Sequence, residues 1–153
     1  MKKVTMHHFK LLTVTLIAVV LLISGNQASA QKANPAEYFK IEDYYKIKWG
    51  YSDEFIALWK KNHYPLLKKL QEKGDVISIE AETPRLHSSE ESRWDLKVSV
   101  VFKTAALAFD YSIVDPYKLQ LFPDQETYKK EEQRRWEIVI AHWDVTVENL
   151  PLN

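Results

Sequence analysis

Hydrophobic and polar positions alternate in three stretches of the chain and recur at helical spacing in two others. Tyr45, Ile47 and Trp49 alternate with Lys46 and Lys48, which predicts a half-buried strand over residues 44–49. Ile77, Ile79 and Ala81 alternate with Ser78, Glu80 and Glu82. Trp94, Leu96, Val98, Val100 and Phe102 alternate with Arg93, Asp95, Lys97 and Ser99. The last two stretches are joined by the polar loop PRLHSSEES and read as a hairpin with a long tip. Between the first and second strands, Phe55, Ile56, Trp59, His63, Leu66, Leu67 and Leu70 recur at steps of three and four, the mark of one apolar helix face. Ser52 stands where an N-cap belongs, with Asp53 and Glu54 in the first turn, and Gly74 stands where the helix should stop.

Beyond the hairpin, KTAALAF (103–109) reads as a short helix and DPYKLQLFP (115–123) as an irregular crossing. Pro123-Asp124 opens a second long helix over roughly 125–143. From Trp136 to Val147 the pattern also partly alternates, so helix and strand compete there, and residues 145–150 are a candidate final strand. The order is β-α-β-β-α with a closing β in prospect. It implies an α+β domain, residues 44–153, whose helices cover one face of a sheet in the ferredoxin-like manner. The other face should carry Lys46, Lys48, Glu80, Glu82, Arg93, Asp95 and Lys97, balanced in charge and without aromatics.

The helix over 52–73 contains a proline. Pro65 has no N–H for the Lys61 carbonyl and its ring crowds that oxygen, which predicts a kink or break around residues 61–65. His63 is placed at that break, on the apolar side.

The N-terminus changes the picture of compartment. Lys2, Lys3 and Lys10 precede an apolar run of 15 residues, Leu11–Gly25, and Ala28-Ser29-Ala30 has the A-x-A form of a cleavage site. The run is shorter than the roughly 20 residues of a spanning helix. Residues 1–30 are therefore expected to be a signal peptide, residues 31–43 a polar N-terminal arm, and the mature chain exported to the periplasm or beyond, with no membrane span. Without those three lysines the chain has 18 basic and 21 acidic residues, a net charge of −3, unsuited to nucleic acid. It has no cysteine, so neither disulfides nor thiolate metal sites arise.

Candidate chemistry is sparse. After residue 30 the only histidines are His63, His87 and His142, without metal-ligand spacing, and no metal or other cofactor is expected. Gly50 alone cannot form a phosphate-cradling loop, and no nucleophile elbow is present. His87 sits in a polar loop. His142, in His142-Trp143-Asp144, is expected to end the second helix favourably for its dipole. Arg93 and Asp95 read as surface ions beside a core Trp94, and the run Lys129–Arg135 reads as a solvated helix face. What remains is His63, either a satisfied structural histidine at the kink or the candidate catalytic residue, with Tyr45, Trp49, Trp59 and Trp94 as candidate ligand-binding aromatics.

The strand, kinked helix and hairpin of residues 44–110 resemble the dimeric α/β-barrel superfamily, in which ferredoxin-like chains pair sheet to sheet. His63-Tyr64-Pro65-Leu66 is similar to the H-x-P-L of EthD-like proteins. The resemblance implies a homodimer and a pocket for a small hydrophobic or aromatic molecule between sheet and helices. It is compatible with cofactor-independent catalysis, since the superfamily contains oxygenases, cyclases and isomerases. The alternative is a non-catalytic envelope protein that acts through protein–protein contact. The two differ in whether a cavity survives around His63, Trp49 and Trp94.

Overall fold

The computed structural model describes residues 38–86 and 88–152. The expected signal segment, most of the arm and His87 lie outside the described residues. Four antiparallel strands, β1 (Phe39–Ile47), β2 (Val76–Glu82), β3 (Leu96–Phe102) and β4 (Val139–Val147), form one sheet in the order β2-β3-β1-β4. Between β1 and β2 run α1 (Ser52–Leu58), a π-helical turn (Trp59–His63) and α2 (Tyr64–Lys73). Between β3 and β4 run α3 (Ala105–Phe109), a 3-10 turn (Tyr111–Val114), α4 (Asp115–Leu121) and α5 (Gln125–Glu137). This strand order, with the helices on one face, is that of the ferredoxin-like fold.

Period-2 alternation places Tyr45 and Ile47 of β1 and Leu96, Val98, Val100 and Phe102 of β3 on the helix side, where all are buried. Phe55, Trp59, Leu67 and Leu70 close over them to make the core. Gly50 (φ 81°) turns the chain from β1 toward α1, and Gly74 (φ 87°) ends α2 in the left-handed region. Tyr51, not Ser52, is the N-cap of α1, with no side-chain cap. Asp124 does cap α5, its Oδ1 accepting from Thr127 N at 3.0 Å.

Several expectations need correction. β1 begins at Phe39, so Phe39–Asp43, read as part of the arm, lie inside the sheet. Residues 115–121 are helical, with Pro116 in the first turn, where its missing N–H costs nothing. The second long helix stops at Glu137, and residues through Val147 form β4. Lys48 N donates to the Ile138 carbonyl at 2.9 Å, which fastens this change of direction to the end of β1. His142 and Asp144 are therefore strand residues, not helix caps.

The open face also differs. Lys46, Glu80, Glu82 and Lys97 lie on it, but Tyr44 stacks on Trp143 there at 5.3 Å between ring centroids, and Trp94 meets Tyr44 edge-on at 5.9 Å. Arg93 is buried, 6% exposed. Its guanidinium donates to the Ile47 carbonyl (3.0 and 3.1 Å) and to Asp95 Oδ2 (2.5 Å), while Asp95 Oδ2 accepts from Ile47 N (2.7 Å). The pair read as surface ions fastens the end of β1.

Candidate functional site

The break before Pro65 takes the form of a π-helical turn. Tyr64 N–H reaches back five residues to the Trp59 carbonyl, and regular helix resumes with Pro65 in its first turn. The wider turn gives the Pro65 ring room where an α-helical Lys61 carbonyl would stand. Asn62, 1% exposed, is held by Glu131 Oε2 of α5 at 3.0 Å, and Lys61 Nζ binds Glu131 Oε1 at 2.5 Å. The turn is thus tied to α5 at one point and packs on the sheet through Trp59. His63, the last residue of the turn, faces a cavity.

That cavity, about 220 Å³, lies between the helix side of the sheet, α2, the segment 107–114 and the end of α5. Ile41, Val100 and Phe102 of the sheet, Leu67 and Leu70 of α2, and Leu107, Ala108, Ile113 and Val114 give it apolar walls. Its polar groups are Asp43, Asp144, His142, His63, Asp110 and Arg135, with Tyr45, Tyr111 and Trp136 between them. Cavities for drug-sized ligands run from about 300 to 1,000 Å³, so this one suits a smaller molecule.

Asp43 on β1 and Asp144 on β4 are direct cross-strand partners. Burial, and then the Asp144 charge and hydrogen bond, raise the Asp43 carboxyl to about 7. The Asp144 side chain is half-exposed, so the burden of the pairing falls on Asp43, whose buried carboxyl holds its proton to near neutral pH. His142 extends the pair. Its ring stacks on Tyr45 at 4.3 Å with 7° between planes, its Nδ1 lies 3.0 Å from the Tyr44 carbonyl, and its Nε2 lies 3.3 Å from Asp144 Oδ1. Since a carbonyl only accepts, Nδ1 carries the hydrogen, and the Nε2–Asp144 contact is a hydrogen bond only when one of the two is protonated.

His63, at the end of the π-helical turn, lines the same cavity. It keeps some solvent exposure, although the surrounding protein is dense. Burial, and then the Arg135 charge, lower its pKa to about 4. The imidazole is therefore neutral at neutral pH, with one N–H to give and no hydrogen-bond partner among the described residues. Arg135 is 2% exposed and is paired with Glu132 through Nε (3.0 Å) and Nη2 (2.8 Å), leaving Nη1 without a partner. Tyr45 is held protonated, its pKa pushed far up by burial and then by Asp43.

Of the residues expected at a site, His63 and Tyr45 line this cavity, and Trp59 lies behind His63 at 5.9 Å between rings, inside the core. Trp49 and Trp94 lie elsewhere, at a second hollow of about 180 Å³ beside the hairpin loop. Trp49 is 71% exposed, in the turn after β1, with the Arg93 guanidinium 4.3 Å from its ring centroid. Asp43, Asp144, His142 and Arg135 were not expected. The signal available for the β4 pair was the alternation from Trp136 to Val147. Asp43 had none, because the partners that make it a sheet residue, Val98 and Asp144, are distant in sequence. Among the described residues no group of three or more His, Asp or Glu side chains has the arrangement of a metal site.

No family model matches the sequence, and no curated protein matches it. Among solved structures it is similar to a dimeric protein of unknown function and ferredoxin-like fold from Bacteroides fragilis (TM-score 0.44, 11% identity, 73% of this chain and 96% of that one). It is also similar to a DABB family protein with a ferredoxin-like fold from Mesorhizobium loti (0.46, 14%, 75% and 99%). A third is a NIPSNAP family protein from Agrobacterium tumefaciens (0.44, 10%, 75% and 95%). None of these matches supports the narrower EthD-like resemblance. The ferredoxin-like assignment stands on the strand order, and the activities of these proteins remain their own.

Proposed function

We propose that the protein binds a small, largely apolar, uncharged molecule in the cavity between sheet and helices. The observation that carries this reading is the composition of the cavity wall: an apolar lining interrupted by a few polar side chains, of which Arg135 keeps Nη1 without a partner and His63 makes no side-chain hydrogen bond among the described residues. A carboxylate ligand would face Asp43, Asp144 and Asp110, and an amine would face Arg135, so charge of either sign is disfavoured. Saturation-transfer NMR with phenylacetone, phenylacetate and phenethylamine tests it. The ketone should bind and the two ions should bind more weakly. Ala108→Phe, which fills the cavity from α3, should remove binding. Equal binding by that variant would refute the cavity as the site.

The open sheet face supports a homodimer. Tyr44, Trp143 and Val145 lie on it with no helix of the described residues above them, flanked by the ion pairs Lys40–Glu42 and Lys97–Glu82. The same aromatic patch favours, as the second reading, a role in binding a different protein. Export after cleavage near Ala30 is also part of the proposal; it rests on the basic, apolar and A-x-A order of residues 2–30.

A further inference from the structure

We infer that the cavity catalyses proton transfer at the carbon next to the carbonyl of a small neutral ketone, the Asp43–Asp144 pair moving the proton while His63 donates a hydrogen bond to the oxygen. This rests on the reading of the cavity as a small-molecule site and names the chemistry of its occupant.

The groups are divided in the way such a reaction needs. On the sheet, Asp43 and Asp144 stand side by side, with His142 Nε2 3.3 Å from Asp144 Oδ1. In the π-helical turn, His63 lines the same cavity and makes no side-chain hydrogen bond among the described residues. A carbonyl oxygen is the acceptor that His63 lacks. A carbon-bound hydrogen beside that carbonyl is the acid a carboxylate can remove once the oxygen is stabilised.

The titration behaviour agrees with this placement. His63 stays neutral down to about pH 4, so it donates without taking the proton itself. Asp43 exchanges its proton near pH 7, where a carboxyl base is strongest without being permanently protonated. The charged and titratable groups around Asp43 are Asp144 and His142 from β4, Tyr45 from β1, His63 from the π-helical turn, Arg135 from α5, and Asp110 and Tyr111 from the segment between β3 and α4.

The step balances without an oxidant, a reductant or a second substrate. The C–H bond breaks and its proton goes to the Asp43 carboxylate. The electron pair becomes the C=C bond of the enolate, and the carbonyl π electrons move to the oxygen held by His63. Return of a proton from the pair to carbon restores the ketone. In D2O the pair exchanges through the open mouth of the cavity, so the returning particle is a deuteron.

The experiment is loss of the α-proton signals of phenylacetone in D2O, followed by 1H NMR with the buffer rate subtracted. Wild type should accelerate exchange by about 10²-fold or more. The rate should rise about tenfold per pH unit below about 7 and level above it. Asp43→Asn, nearly isosteric, should abolish both the acceleration and its pH step. His63→Gln, which keeps a donor, should retain more exchange than His63→Phe. Exchange undiminished in Asp43→Asn, or a wild-type rate flat through pH 7, overturns the inference, and the second readout needs no variant to fold. Phenylacetone that binds by saturation transfer without accelerated exchange overturns it too, while the binding reading stands. Absence of binding removes both.

Discussion

Asp43 of β1 and Asp144 of β4 face each other across the strand pair on the helix side of the sheet, where burial and then the Asp144 charge raise the Asp43 carboxyl to about 7. Such an arrangement is costly for folding, and the cost depends on pH. The Asp43 pKa is raised in the folded state, to about 7 from 3.8, so the native protein binds the proton more tightly than the unfolded chain. Its contribution to stability therefore falls as pH rises from about 4 to 7 and is constant above that. Asp43→Asn should be more stable than wild type at pH 8 by on the order of 2–4 kcal/mol, the gain shrinking toward pH 4, as measured by urea unfolding at several pH values. A difference that does not change with pH would contradict the raised Asp43 pKa.

His63 should act in the opposite sense. Its pKa is lowered from 6.5 to about 4, so the unfolded chain binds the proton more tightly in that window. Stability is lost as pH falls from about 6.5 to 4, by on the order of 1–3 kcal/mol once the partial exposure of the residue is allowed for. Unfolding of His63→Gln should lack this acid-side loss. Identical acid limbs in variant and wild type would mean that His63 is not held neutral.

Much of this framework was legible in the chain. The alternation of β2 and β3 marked which residues enter the core, because one face of each strand is covered. The spacing of Phe55, Trp59, Leu66 and Leu70 marked the helix face, and the ring of Pro65 marked the break. The site was less legible because it is assembled by β1 and β4, whose register is a long-range property. Asp43 looks like arm until Val98 and Asp144 stand on either side of it. Residues 136–143 satisfy both periods, and the free edge of β1 decides for strand. Arg93 looked like a surface ion because the carbonyl it satisfies belongs to Ile47, distant in sequence.

That last contact makes a prediction of its own. Arg93→Met would leave the Ile47 carbonyl and Asp95 without the guanidinium, at a cost of about 3 kcal/mol. Arg93→Lys should rescue only part of it, since one ammonium cannot reproduce the fork that serves both acceptors. Thermal unfolding of the two variants checks this, and full stability in Arg93→Met would show that the pair is merely on the surface.

The open face is tested by charge. Trp143→Glu puts a carboxylate in the stack with Tyr44 and should turn a dimer into a monomer in sedimentation at micromolar concentration, without loss of the helix signal. A wild-type monomer under the same conditions would remove the homodimer and leave the patch free for another partner.

A small neutral molecule in the cavity beside His63 would meet the imidazole itself, so the ring of that residue is the sensitive reporter of binding. In a titration with phenylacetone at pH 7, the His63 ring signals should start at neutral-imidazole positions and shift saturably as its free N–H finds an acceptor. Ring signals of His63 that stay fixed while the ketone is bound elsewhere, or while it does not bind, would contradict the account.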